Sequence, residues 1–311
     1  MRPIRLIPDR TRIDFVRYRL AAFVVSGLIV AGSLAMLLIN GLNFGIDFRG
    51  GILVEIRTEE PADISALRQR LGGLGLGEVS LQEFGQPNDV LIRIQQQEGG
   101  EEAQQAAIER VRTELGDDVQ YRRVEQVGPR VGDELIRAGT LAVLLAMGAM
   151  LLYIWFRFEW QFGVAAVIAL THDVISTLGF FALTQMDFSL TTVAAVLAIA
   201  GYSINDTVVV FDRVREDLRK YKSAELPDLF NAAINETLSR TLMTSGTTLL
   251  AVTALTVFGG EVIRGFSLAL IWGLLIGTYS SIFVAVPILL YLNVRRGPAS
   301  RAGKPATQAP N

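Results

Sequence analysis

The chain reads as a polytopic α-helical membrane protein with six transmembrane helices and an α+β domain inserted after the first. Three observations predict this. Half of the 311 residues are hydrophobic, and mean hydropathy is +0.38. Uncharged or nearly uncharged runs, long enough for the ~20 residues that cross a bilayer, recur six times. Residues 47–137 break that pattern with 18 acidic and 11 basic residues, net −7, and no lysine.

Residues 1–19 carry Arg2, Arg5, Arg10, Arg12, Arg17 and Arg19, and residues 20–46 carry no charge. The apolar region of a signal peptide is about 7–15 residues, and this run is longer. It reads as an uncleaved first span, 20–40, whose N-terminus the arginines of segment 1–19 hold in the cytoplasm.

Residues 41–134 read as a periplasmic domain. Ile52, Val54 and Ile56 alternate as in a strand. Ile64, Leu67 and Leu71 mark a helix ended by Gly72-Gly73. Val79 and Leu81 start a second strand, Gly85-Gln86-Pro87-Asn88-Asp89 a turn, and Val90, Ile92 and Ile94 a third strand. Ile108, Val111 and Leu115 mark a second helix stopped at Gly116, and Val119 and Tyr121 open a fourth strand. The order β-α-β-β-α-β is that of a ferredoxin-like unit.

Region 135–294 supplies five more spans, at about 135–157, 160–184, 188–211, 241–260 and 265–294, with a cytoplasmic loop at 212–240. That loop holds Arg213, Arg215, Arg219, Lys220, Lys222 and Arg240, and the tail holds Arg295, Arg296, Arg301 and Lys304. The basic excess on one side follows the positive-inside rule and sets both termini in the cytoplasm. The tail, 295–311, is small and polar and reads as disordered.

Chemistry concentrates in the spans. Asp206 lies inside an apolar segment, flanked onward by Val208, Val209, Val210 and Phe211. A carboxylate at such depth costs about 2.5–3.5 kcal/mol on insertion scales and is a functional candidate by default. It reads as a proton site; the plainer reading is a buried group that only pairs two helices. Arg240, at the cytoplasmic start of the fifth span, is the candidate cation for it, though a span-end arginine also snorkels to the interface. His172 and Asp173 sit near the middle of the third span and must face the bundle interior. Adjacent helical residues point about 100° apart, so the two are not expected to share a contact, and helix pairing and a proton relay weigh equally. The hydroxyls from Thr241 to Thr248 could line a wet path, but for most of them close helix packing is the plainer reading, as it is for the pair Gly273 and Gly277. Pro287 is expected to bend the sixth span.

Other classes are excluded. There is no cysteine and one histidine, so thiolate zinc sites, thiol nucleophiles and multi-histidine metal sites within one chain are ruled out. Gly72-Gly73-Leu74-Gly75 lacks the lysine and hydroxyl of a phosphate-binding loop. No cofactor, covalent catalysis or nucleic-acid partner is expected.

Several stretches together resemble one family. They are Phe44-Gly45-Ile46-Asp47-Phe48-Arg49-Gly50-Gly51, Gln126-Val127-Gly128-Pro129, Gly201 through Arg213, Arg240 through Ser245, and Gly265 through Leu270. In order and spacing they resemble the SecF family of the bacterial SecD/SecF protein-export complex, itself similar to half of a resistance-nodulation-division transporter. The resemblance implies an inner-membrane subunit that uses the proton motive force to promote and complete preprotein translocation after SecA-driven transport. It implies a SecD-like six-span partner, the SecYEG channel, YajC, unfolded preproteins and membrane lipid as surroundings. It carries the family's proton-pathway aspartate onto Asp206 and its fifth-span arginine onto Arg240, and leaves the part of His172 and Asp173 open. The rivals are a proton-driven exporter of small molecules or lipids from the same superfamily, and a passive scaffold.

Overall fold

The computed structural model describes residues 11–294, apart from Asp117, Gly128 and Gly260. The tail expected to be disordered at 295–311, and Arg2, Arg5 and Arg10, lie outside the described residues. Helix α1 (Arg19–Ile39) leads through α2 (Ile46–Arg49) into a mixed module. That module runs β1 (Gly51–Thr58), α3 (Ile64–Gly72), β2 (Val79–Phe84), β3 (Gln86–Ile94), α4 (Gly100–Leu115) and β4 (Val119–Val127). The chain then continues as α5 (Pro129–Arg157), α6 (Trp160–Thr184), α7 (Leu190–Lys220), α8 (Leu226–Phe258) and α9 (Glu261–Ser280).

In the module, the four strands form one sheet in the order β2-β3-β1-β4, every neighbouring pair antiparallel. Alternation explains which side each residue serves. Ile52, Val54 and Ile56 of β1 join Val90, Ile92 and Ile94 of β3 in a core closed by Leu67 and Leu71 of α3 and by Ile108, Val111 and Leu115 of α4. The opposite face presents Leu53 and Leu91, which pack with Ile46. Asp63 caps α3 by accepting from the backbone N–H of Ser65 and Ala66. The turn expected over residues 85–89 is tighter than that: Gln86 already pairs with Phe84, and Gly85 alone turns the chain, with φ 82°. Only glycine adopts that conformation freely, so Gln86–Asp89 are released to extend β3.

Asp89 shows how this module handles charge. It lies opposite Arg57 in the β1–β3 register, and both guanidinium nitrogens donate to its carboxylate at 2.6 Å. A bulge in the β1–β4 pairing leaves Arg122 without a partner on β1, and its guanidinium reaches Asp89 at 3.4 Å. The hydrogen bond from Arg57 holds the Asp89 carboxyl below the usual carboxylate range, against the opposing effect of burial.

Six helical segments are long and apolar enough to cross a membrane: Val16–Ile39, Glu134–Arg157, Trp160–Thr184, Leu190–Lys220, Leu226–Phe258 and Ile263–Ile288. They divide into two sets. In α6, α7 and the α9 segment about half or more of the most apolar window is buried; in the α1, α5 and α8 segments little or none of it is. The central trio packs mutually, with α1 against α6 and α8 against α7 and α9. Small residues permit this. A Cβ on Gly273 would collide with Ile199, one on Gly179 with Ser33, and one on Gly277 would lie 3.2 Å from Ser203. The packing reading of Gly273 and Gly277 therefore holds.

Two expectations change. The 212–240 segment is helical except around residues 221–225. With 31 residues, α7 is about 46 Å long at 1.5 Å per residue, longer than the ~30 Å hydrocarbon core. Charge ended the apolar run without ending the helix, because Arg213 pairs with Glu216 and Asp217 on its own helix and with Glu236 on α8. The bend expected at Pro287 takes the form of a π-helix, Ser281–Ala285, followed by α10 (Val286–Ile288) and a 3-10 turn, Leu289–Tyr291. Proline has no N–H, and its ring crowds the carbonyl four residues earlier, so the regular ladder cannot run through this point.

Candidate functional site

The polar residues of the bundle gather where α6, α7, α8 and α9 meet. On α7, Ser203, Asp206 and Thr207 stand three and four positions apart, so they share one face, and all three are buried. Asp206 is 4% exposed. Its Oδ1 accepts a hydrogen bond from the Thr241 hydroxyl of α8 at 2.9 Å. Its Oδ2 has no hydrogen-bond partner among the described residues. Thr207 shares a hydrogen bond with Ser281 at 3.0 Å, the first residue of the π-helix.

Asp173 is fully buried and engaged through both oxygens. Oδ1 lies 2.8 Å from Nδ1 of His172. Oδ2 accepts from the hydroxyls of Ser203 at 2.5 Å and Ser280 at 2.7 Å. One carboxylate thus ties α6 to α7 and to α9. When Asp173 is ionised, Nδ1 of His172 carries a proton, and in the neutral imidazole Nε2 is then an acceptor; Nε2 has no partner among the described residues. The imidazole lies 6.2 Å from the ring of Tyr279.

The candidates from the sequence are therefore brought together unevenly. Asp206 and Asp173 lie on the same interior surface, connected by adjacent residues: Ser280 serves Asp173 and Ser281 serves Thr207. His172 and Asp173 do share a contact, contrary to expectation. Their Cβ vectors diverge, but the imidazole nitrogen stands far enough beyond Cβ to swing back onto the neighbouring carboxylate. Arg240 is exposed and makes no ion pair with Asp206 among the described residues. Its neighbour Thr241 takes the direct contact.

Sequence reasoning missed Thr241 as a specific partner, and it missed Ser203, Thr207, Ser280 and Ser281 altogether. For Ser203 and Thr207 a signal existed in their spacing from Asp206. Ser280 and Ser281 stand in an uncharged 30-residue run with nothing to mark them.

At the N-terminal end of α7 the mixed module adjoins the bundle. The module's open sheet face and the α6–α7 connection enclose a cavity of about 400 Å³, lined by Leu53, Leu91, Asp47, Asp187, Arg123 and Phe266 among others.

Comparison with known proteins places these features in a family. Residues 107–295 match the family described as Protein export membrane protein SecD/SecF, C-terminal, and residues 35–62 match the SecD/SecF GG Motif. The Protein translocase subunit SecF of Rickettsia bellii (strain OSU 85-389) is 47% identical over 291 residues, 92% of this chain and 95% of the relative. The protein of the same description in Cereibacter sphaeroides is 46% identical over 317 residues, 99% of this chain and 98% of the relative. The crystal structure of SecDF, a translocon-associated membrane protein from Thermus thermophilus, superimposes with TM-score 0.84 at 35% identity. That match covers 92% of this chain but 39% of the SecDF chain. SecDF in its super-membrane-facing form matches at TM-score 0.68, over 94% of this chain and 40% of the other.

Proposed function

The chain belongs to the SecD/SecF family of protein-export membrane proteins, and from that premise we propose that it is a proton-driven accessory subunit of preprotein export. One observation carries the proton reading: Asp206, buried in a span, has one oxygen held by Thr241 and the other unengaged by any described residue. A carboxyl in such a setting can gain or lose a proton without breaking an existing ion pair. Arg240, which precedes Thr241 within α8, biases its charge state. His172 and Asp173, with the serines around them, form the second polar station of the same pathway.

The rest of the reading follows the family and the charge pattern. The protein is a multi-pass component of the bacterial inner membrane. Its termini and the α7–α8 extensions lie in the cytoplasm, and the mixed module lies in the periplasm. The module is ferredoxin-like, supported by its 2-3-1-4 strand order with antiparallel neighbours. The solved SecDF chains are more than twice as long as the part matched here, which supports a SecD-like subunit as the missing six-span half. That pair would act beside the SecYEG channel on unfolded preproteins.

The experiment is gradient-driven export into vesicles carrying the full complex. Asp206→Asn keeps the shape of the side chain and removes the ionisable group. The expected outcome is normal assembly with loss of the whole gradient-dependent increment; an undiminished increment would overturn the reading.

A further inference from the structure

The motif Phe44–Gly51 is not used by the proton site, yet it is where the module meets the bundle. The chain leaves α1 and lies along the α6–α7 connection. Asn43 donates to the carbonyl of Gln185 at 2.9 Å, Phe188 N–H donates to Asn43 at 2.8 Å, and Gly45 N–H donates to Phe188 at 3.0 Å. Gln185 adopts a left-handed φ of 53°, uncommon for a residue with a Cβ, which turns the connection toward this strand. Phe44, Phe48 and Phe188 form an aromatic cluster beneath it. Arg93 of β3 pairs with Asp187. Gly50 and Gly51, both at positive φ, then turn the chain into β1; a Cβ on Gly51 would come within 2.5 Å of the Ile94 carbonyl.

Within this junction Asp47 makes one distinct contact. Its Oδ2 accepts the backbone N–H of Leu190 at 2.9 Å, the first residue of α7. A carboxylate at that position satisfies a free helix N–H and complements the positive end of the helix. The same helix carries Asp206 sixteen residues on, about 24 Å away at 1.5 Å per residue. The module is also held to the α6–α7 connection by the Arg93–Asp187 pair and joined covalently to α1 and α5; Asp47 adds a side-chain hydrogen bond to α7 itself. We propose that Asp47 is a positioning residue of the transport cycle, fastening the module to the helix of Asp206 so that displacement of α7 moves the module. This rests on the proton-driven reading above.

The absence of cysteine makes the test direct. Spin labels at Glu109→Cys on α4 and Leu250→Cys on α8, both exposed positions, report the module–bundle distance in the full complex in liposomes at two pH values. Carbodiimide labelling that depends on Asp206 reports protonation independently. The expected result is a pH-dependent distance shift in the otherwise unchanged protein, lost in Asp47→Ala while the labelling profile stays the same. Asp47→Ser, which keeps a capping oxygen, restores part of the shift and guards against a folding defect. A full shift in Asp47→Ala overturns the proposal alone. No shift and no titrating label in the unchanged protein overturns the proton reading and the proposal with it.

Discussion

The two carboxylates buried in the bundle live in opposite surroundings. Asp173 has both oxygens engaged, by His172, Ser203 and Ser280, and so joins three helices. Asp206, one helix over, holds a single hydroxyl. A saturated carboxylate changes charge or position only if its partners rearrange with it, because each would otherwise be left unpaired in an apolar interior. A half-engaged one has little to lose. The difference teaches that two buried carboxylates can differ in how many partners a change of charge would disturb: one hydroxyl at Asp206, and His172, Ser203 and Ser280 at Asp173.

The contrast can be broken by exchanging the roles. The largest expected effect is in Asp206→Asn, where gradient-dependent export disappears while thermal unfolding in detergent stays within about 1 kcal/mol of the parent. In Asp173→Ala the order reverses. His172, Ser203 and Ser280 lose their acceptor, at about 1–3 kcal/mol for each buried group left unsatisfied, and the unfolding midpoint drops. If Asp173→Ala leaves the midpoint unchanged, Asp173 does not hold the three helices together.

Next in size is the single contact to Asp206. Thr241→Val removes a hydrogen bond to a group that becomes charged, about 1.5–3 kcal/mol, so export driven by the gradient falls about tenfold or more. Thr241→Ser keeps the hydroxyl and most of the rate. Equal rates in the two variants would mean that Thr241 only packs. Arg240 is subtler. Arg240→Lys keeps the charge but not the fork of donors, and a double-mutant cycle with Asp206 is expected to give a coupling of about 0.5–3 kcal/mol. Strict additivity reduces Arg240 to an interfacial anchor.

The smallest effect lies in a third carboxylate, Asp89, which is paired where water is near. Its carboxyl titrates below the usual range because Arg57 donates to it. A depressed native pKa stabilises above the ordinary carboxylate pKa, and that contribution is lost as pH falls through the native value. Protection factors of β3 amides, which correct for the intrinsic pH dependence of exchange, should therefore hold through mildly acidic pH and fall only below about pH 4. In Arg57→Gln the protection gives way at higher pH; an unchanged profile removes the pair from the account.

Several of these elements were legible before any coordinates. The periodicity of Ile52, Val54 and Ile56, and of Ile108, Val111 and Leu115, identified their strand and helix because one face had to be apolar. Asp206 stood out because a charge interrupted an apolar run. Thr241 was grouped with the other hydroxyls that follow Arg240, as path lining or packing, since nothing in the sequence singles out which of them meets Asp206. The contact between His172 and Asp173 was ruled out on Cβ geometry, which ignores how far a flexible ring reaches.

Composition and residue order determine the six apolar segments, the mixed module, the side that gathers arginine and the depth of the buried charges. These depend on transfer between water and hydrocarbon and on helical or strand period, both local properties of the chain. Tertiary structure decided which hydroxyls surround which carboxylate, how far α7 and α8 run beyond the apolar core, and that Asp47 would cap a helix 143 residues later in the chain. Those outcomes depend on which small residues, Gly179, Gly273 and Gly277, let the backbones approach, and a contact formed by packing has no period in the sequence to announce it.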